Sequence, residues 1–214
     1  MSRHWPLHTL RITTPNLELR VPDDPLVDEL IDLAAQGIHD PADMPFLVPW
    51  TDAVPPEFQR NTFQYYWRTQ AAISPTAWEL SFAVLRDGVV VGTQTMEAVD
   101  FSVRRTFQTG SWIGRAHQGQ GIGKEMRRAV LTLGFDHLGA VAAMTAVIEG
   151  NEASRAVTHA IGYEPNGWEV VAPRGNPVRE EKFVLTRDRW ESLAARIPIR
   201  VDGLDDCLPL LGLG

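Results

Sequence analysis

Thiols are almost missing from this chain: of its 214 residues only Cys207 is a cysteine. One thiol excludes an internal disulfide and fits a reducing cytoplasm. Placed so near the C-terminus, it is also a poor catalytic nucleophile. Long apolar runs are missing too. The longest, Ala140–Ile148, falls far short of the roughly 20 residues that span a bilayer. The opening MSRHWPLHTLRI lacks the apolar core and cleavage site of a secretory signal, so no membrane partner is expected. Positive charge is in deficit, with 20 Lys and Arg against 27 Asp and Glu and a net charge of −7. A protein that grips nucleic acid by releasing counterions needs the opposite balance. Apart from His39, the histidines (His4, His8, His117, His137, His159) show no metal-ligand spacing with cysteine or acids, so no metal is expected. There is no internal repeat and no low-complexity segment.

What is present is the material of one globular domain over residues 1–214, with 44% hydrophobic residues and a short tail from about residue 200. LRITTPNLELRVP reads as a first strand, with Leu17 and Leu19 alternating with polar neighbours. DDPLVDELIDLAAQG reads as a helix: Asp24 as cap, Pro25 in the first turn, Leu26, Leu30 and Leu33 on one face, Gly37 as stop. The next stretch, IHDPADMPFLVPWTDAVPP, contains five prolines and is expected to be a loop walling a binding site. A helix follows over about Glu57–Ile73. A hairpin then turns at Asp87-Gly88, and TFQTGSWIG is a further strand. Beyond it come a helix (about Gly123–Leu138), a strand (Ala140–Ile148), a helix (Glu152–Ile161), a last hairpin and a short helix. One parallel crossover among hairpins predicts a mixed, mostly antiparallel α/β sheet flanked by helices.

The crossover contains HQGQGIGKE, three glycines in nine residues at the mouth of a helix. A P-loop is excluded, because position 118 is Gln where its first glycine belongs and position 125 is Glu where a hydroxyl should hold the metal. A dinucleotide fingerprint fits poorly. The glycines are spaced G-x-G-x-G, and the preceding strand is too polar. The remaining pattern is Q-x-x-G-x-G, carried by Gln118, Gly121 and Gly123. Proline-free backbone through Gly119, Gln120, Ile122 and Lys124 offers amides to an anion at the positive end of the helix. The alternative is a glycine-rich turn that merely joins strand to helix.

SWIGRAHQGQGIGKEMRRAVL, followed by IEGNEASRAVTHAIGYEPNG, resembles the GNAT N-acetyltransferase family. Ser154, three residues after Asn151, resembles the RimJ/RimL-type branch, whose members acylate the α-amino group of ribosomal proteins. The ends of the chain resemble a mycobacterial part of the family described as succinyltransferase. The resemblance implies a coenzyme A pyrophosphate loop at Gln118–Lys124. It also implies a strand at Trp112, Ile113 and Gly114 that splays from Ala140–Ile148 to admit pantetheine, with Asn151 beside it. Acetyl-CoA or succinyl-CoA is then the donor and a primary amine, small molecule or protein N-terminus, the acceptor.

Acyl transfer from a thioester needs a neutral amine, a proton acceptor and a donor to the leaving thiolate. Thr158 stands where many relatives carry a tyrosine acid, which leaves Ser154 as the candidate acid or, alternatively, as a helix-capping hydroxyl. The strand before the glycine loop offers no carboxylate. Asp100 is therefore the first candidate base, with Glu97, His39 and Asp40 behind it. Tyr65, Tyr66 and Trp67 either wall an acceptor site or pack in the core. A succinyl carboxylate would call for a cation, with Arg104, Arg105 and Arg115 as candidates. Two rivals remain: a CoA-sensing domain with weak chemistry, and an NAD(P)-binding protein. The apolar tail RVDGLDDCLPLLGLG predicts self-association.

Overall fold

A computed structural model describes residues 4–193 and 197–214. Nine strands form one sheet: β1 (Arg11–Thr13), β2 (Glu18–Arg20), β3 (Ala77–Arg86), β4 (Val89–Val99), β5 (Thr106–Ile113), β6 (Ala142–Ile148), β7 (Glu164–Val171), β8 (Val178–Thr186) and β9 (Arg200–Asp202). Their spatial order is β7-β8-β6-β5-β4-β3-β2-β1-β9, and only β5–β6 is parallel. The helices are α1 (Asp24–Ala35), α2 (Glu57–Ala71), α3 (Phe101–Arg104), α4 (Ile122–Thr132), α5 (Glu152–Ile161) and α6 (Arg187–Ser192). No helix among the described residues is long and apolar enough to cross a membrane.

The alternation of side chains gives the sheet two dry faces. On one, Phe82, Met96 and Phe107 pack against Met126, Val130 and Leu133 of α4 and its extension. On the other, Ala83, Leu85 and Val90 pack against Leu26, Leu30 and Leu33 of α1 and Phe58 and Tyr66 of α2. The predicted elements from α1 to β8 form close to their expected bounds. The Asp87-Gly88 turn has both residues at positive φ, +51° and +79°, as a tight two-residue hairpin requires.

Several details differ from expectation, each for a local reason. The first strand is a hairpin, because Thr14 donates its N–H to Leu17 O at 2.9 Å and turns the chain at Pro15. The N-cap of α1 is Asp23; the Asp24 carboxylate instead accepts from the Trp67 indole at 2.9 Å. The helix expected to run to Leu138 leaves α geometry at Leu133 and finishes as a wider turn over Leu133–His137. There a Cβ on Gly134 would lie 2.4 Å from the Phe107 ring, so the helix can approach β5 only as glycine. The tail packs part of its length against the domain. It adds β9 to the edge of β1, buries Cys207 and Leu211 completely, and takes a hydrogen bond from the Trp78 indole at Leu211 O, 3.2 Å. Leu204, Leu208, Leu210 and Leu213 pack against the core while staying partly exposed. Burial lifts the Cys207 thiol to about 11, so it stays protonated and inert.

Candidate active site

The parallel ladder between β5 and β6 is short. Thr106, Phe107 and Gln108 pair with Ala142, Ala143 and Met144, and beyond that point β5 and β6 no longer pair with each other. Two side chains stitch the fork. The Thr109 hydroxyl donates to Met144 O at 3.3 Å, and the Thr145 hydroxyl donates to Thr109 O at 3.2 Å. Past the fork, β5 and β6 wall a cleft of about 610 Å³. It is lined by Ser111, Trp112, Ile113, Gln118, Gly123, Arg127, Asn151 and Ser154, and by the proline-rich segment at Ile38–Leu47. That segment walls a site as its composition suggested.

The glycine loop lies at the far end of this cleft. Gly119 and Gly121 stand at positive φ, +73° and +83°, with open space where a Cβ would project. The amides of Gly119, Gln120, Gly121, Ile122 and Gly123 have no protein acceptor among the described residues. Gln118 and Lys124 differ: their amides are spent on Arg115 O and Gly121 O, at 3.3 and 3.1 Å. The Gln118 carboxamide braces the loop by donating to Ile38 O and Ile113 O at 2.7 and 2.8 Å. The loop is not plugged by its own side chains. Gln120 turns away to Ala116 O and Arg86. Glu125, where a P-loop would place a hydroxyl, binds the β1–β2 turn through the Thr14 hydroxyl at 2.6 Å and the Asn16 amide at 2.9 Å. Gly114 is also spent: its N–H goes to Val91 O at 3.0 Å, and a Cβ there would sit 2.5 Å from Leu33.

Asn151 caps α5, its side-chain oxygen accepting from the Ser154 N–H at 3.1 Å. Ser154 therefore does not cap, and its hydroxyl is left on the cleft wall. Thr158 is fully buried with its hydroxyl unpartnered and lines neither cavity described here. Asp100 sits in a left-handed turn at the mouth of α3, exposed and outside both cavities. Its carbonyl caps α3 by accepting from Val103 and Arg104.

A second cavity of about 620 Å³ lies on the α2 side of the sheet, lined by Tyr65, Arg68, Glu79, Glu97, Arg104, Gln108 and Met144 among others. Glu79 and Glu97 stand directly opposite each other on β3 and β4, and Glu97 is paired on its other side with Gln108. Tyr65 donates its hydroxyl to Glu79. Burial first, and the Glu79 charge second, push the Glu97 carboxyl above its ordinary range. Tyr65 thus belongs to a cavity wall and Tyr66 to the core, while Trp67 is half exposed.

One functional candidate escaped the sequence. Arg127 on α4 is only 3% exposed, yet its guanidinium meets neutral groups alone: Gln94 Oε1 at 3.4 Å, Thr145 Oγ1 at 3.1 Å and Ser111 Oγ at 3.2 Å. It bridges β5 and β6 inside the fork, with no carboxylate in ion-pair reach among the described residues. Arg104 lines the other cavity, while Arg105 and Arg115 line neither.

The comparisons agree with this geometry. A family model for the GNAT acetyltransferase domain matches residues 17–164. Among solved structures, an N-acetyltransferase of Brucella melitensis superposes with a TM-score of 0.66 at 18% identity, covering 85% of this chain and 80% of that one. RimJ of Mycobacterium smegmatis, solved with a CoA disulfide, gives 0.64 at 16% identity, covering 86% and 90%. RimL, a ribosomal α-N-protein acetyltransferase solved with coenzyme A, gives 0.61 at 18% identity, covering 82% and 97%. With its forked strands and its matched family model, the chain belongs to the GNAT acetyltransferase family.

Proposed function

We propose that this protein is a cytoplasmic N-acyltransferase that moves an acyl group from acyl-CoA to a primary amine by direct attack in a ternary complex. The observation that carries the proposal is the junction of the two cavities. Their linings are adjacent on both strands, Gln108 and Met144 lining the second cavity and Thr109 and Thr145 the cleft, where the ladder ends. A cofactor whose diphosphate rests on the amides of Gly119–Gly123 can lay its amide-bearing arm along the unpaired strands, as a peptide adds to a free edge. Trp112, Ile113, Asn151 and Ser154 flank that path. Its thioester then comes to the junction, in front of the second cavity.

The base falls to Glu97 rather than Asp100, because Glu97 lines the acceptor cavity one strand from the fork and Asp100 lines neither cavity. A carboxyl whose affinity for protons is raised by burial is suited to accept one near neutral pH. An entering ammonium loses one proton to solvent by way of Glu97, the neutral nitrogen attacks the thioester carbonyl and gives its second proton to the ionised Glu97 carboxylate, and the carbon–sulfur bond breaks. Ser154 donates to the departing thiolate and is reprotonated by solvent. No covalent enzyme intermediate is needed, in keeping with the buried, protonated Cys207.

Arg127 favours a donor that carries its own anion. Holding an ion out of water without a counter-ion costs several kcal/mol even after relaxation. A succinyl carboxylate turned back into the fork would offset that cost, whereas an acetyl group would not. Succinyl-CoA is thus preferred over acetyl-CoA among the two donors.

The test is release of free CoA from acetyl-CoA and succinyl-CoA with a panel of amines and N-terminal peptides. Turnover that saturates in both substrates supports the transferase. Tight CoA binding with no release for any acceptor would make the protein a CoA sensor. Stabilisation by NAD(H) but not by CoA would make it a dinucleotide binder.

A further inference from the structure

We propose that the amine acceptor is a zwitterion, a primary amine whose own molecule carries a carboxylate or similar anion a few bonds from the nitrogen. This rests on the transferase assignment for the meaning of the second cavity, and it follows from how that cavity distributes charge. Its floor, on the sheet, holds Glu79 and Glu97 in direct cross-strand register. Like charges so placed repel, and neither carboxylate has a cation within ion-pair distance among the described residues. An ammonium entering between them relieves that repulsion next to Gln108, where the fork begins.

The rim is of opposite sign. Arg68 comes from α2 and Arg104 from α3, both line the same cavity, and both are exposed. Neither forms an ion pair among the described residues, although two half-buried carboxylates line the same space. The fold holds the two signs apart, since guanidinium and carboxylate groups free to meet would pair. A ligand with both signs, amine inward and anion outward, satisfies all four groups together. A diamine would satisfy the floor and be repelled at the rim, and a simple alkylamine would leave both arginines unanswered. Val99 and Ala72 supply apolar wall for the connecting carbons.

Two sources offer this chemistry: a free amino acid, and a peptide N-terminus with an acidic residue close behind it. Calorimetric titration separates them. The full chain, with and without saturating CoA, is titrated with glutamate, with a C-terminally amidated Ser-Glu peptide, with the matching Ser-Lys peptide, with butylamine and with putrescine. At least one of glutamate and the Ser-Glu peptide is expected to bind tenfold or more tighter than butylamine, and the stronger of the two names the source. In a variant carrying Arg68→Gln and Arg104→Gln, both exposed and without side-chain partners that folding requires, that ligand is expected to bind no tighter than butylamine. Putrescine or Ser-Lys binding as tightly as the best anion-bearing ligand would overturn the proposal. So would a zwitterion advantage that survives the double substitution, or no binding by any of the five. Titrating the CoA-free chain keeps this outcome separate from the transferase assignment, which fails instead if CoA itself does not bind or is never released.

Discussion

In the proposed enzyme the two cavities beside the fork would recognise their ligands by opposite means. The donor cleft is built from main chain. Among the described residues, five consecutive amides without protein partners, the positive end of α4 and two strand edges left unpaired at the fork do the work, and Arg127 is the one Lys or Arg lining it. The acceptor cavity is built from side chains, with two carboxylates below and two guanidinium groups above. A cofactor common to many enzymes can be held by backbone, which every sequence supplies. An acceptor that distinguishes one enzyme from the next has to be read by residues that are free to vary. This contrast predicts that damage to the donor cleft acts on all substrates, and that damage to the acceptor cavity depends on the amine.

The largest effect is expected from Gly123→Glu. Gly123 needs no positive φ, and a Cβ there meets only ordinary contacts at 3.4 Å to Ile113 and Val157, so the fold tolerates a side chain. A carboxylate placed among the diphosphate's amides should weaken CoA binding more than 100-fold, by about 2.7 kcal/mol or more, with the melting temperature little changed. Normal binding by calorimetry would remove the donor cleft from the comparison. Next comes Glu97→Gln, which should lower kcat about 100-fold, at the lower end of what a general base contributes, while CoA affinity stays. Because the base must be ionised, wild-type kcat/KM should fall as pH drops through the raised Glu97 pKa. Glu79→Gln removes one cause of that rise, so the acid limb should move to lower pH. Stability carries the opposite sign. With the folded pKa above the unfolded one, the folded state holds more protons between the two values. The contribution is therefore full below the unfolded pKa and is lost as pH climbs through the folded one. A limb that stays put in Glu79→Gln would break the coupling between the two carboxylates.

The unequal legibility of the two cavities has the same root. The glycine loop and the crossover could be read because glycines report backbone requirements directly, whereas the cap of α5 fell to Asn151 and not to Ser154. The acidic pair could not. With a two-residue turn at Asp87-Gly88, simple counting places Met96 opposite Glu79 and puts Glu97 on the other face. The register slips between Val84 and Leu85, leaving Val91 as the extra residue, and this brings Glu97 across from Glu79. The slip lies beside Gly92, where a Cβ would sit 2.3 Å from Trp112 O. Its cause is the approach of a third strand, which no local pattern announces. Arg127 was hidden differently. In MRRAV two arginines are adjacent, composition assigns both to solvent, and only the fork reveals that one of them is enclosed. The packing of the tail had no local signature, because its leucines follow no period and β9 forms only where β1 offers an edge.

Arg127→Met tests whether the buried guanidinium at the fork reads the donor. Succinyl-CoA should lose about tenfold or more in kcat/KM relative to acetyl-CoA, since the charge-assisted hydrogen bond at stake is worth about 1.5–3 kcal/mol. Equal losses for both donors would make Arg127 a brace for the fork and nothing more. Ser154→Ala should be milder, about tenfold in kcat with CoA affinity nearly unchanged, because solvent can replace a hydroxyl donor. A change confined to affinity would make Ser154 a binding residue.

The smallest effect concerns the wall between cleft and solvent. Arg174, at the β7–β8 turn, clasps Asp52 through two hydrogen bonds of 2.7 and 2.5 Å and also donates to Pro41 O at 3.1 Å. The hydrogen bonds from Arg174 hold the Asp52 carboxyl below its ordinary range. The clasp ties the proline-rich wall to the far edge of the sheet, across the donor cleft. Both partners are substantially exposed, so water screens the pair and its removal should barely alter the melting temperature. What it fixes is the position of the wall. Arg174→Ala should therefore raise the KM for acyl-CoA a few-fold, mainly through faster dissociation, and leave the choice among amines as it was. If amine preference shifts while acyl-CoA kinetics do not, the wall serves the acceptor side, and the division of labour between backbone and side chains has been drawn in the wrong place.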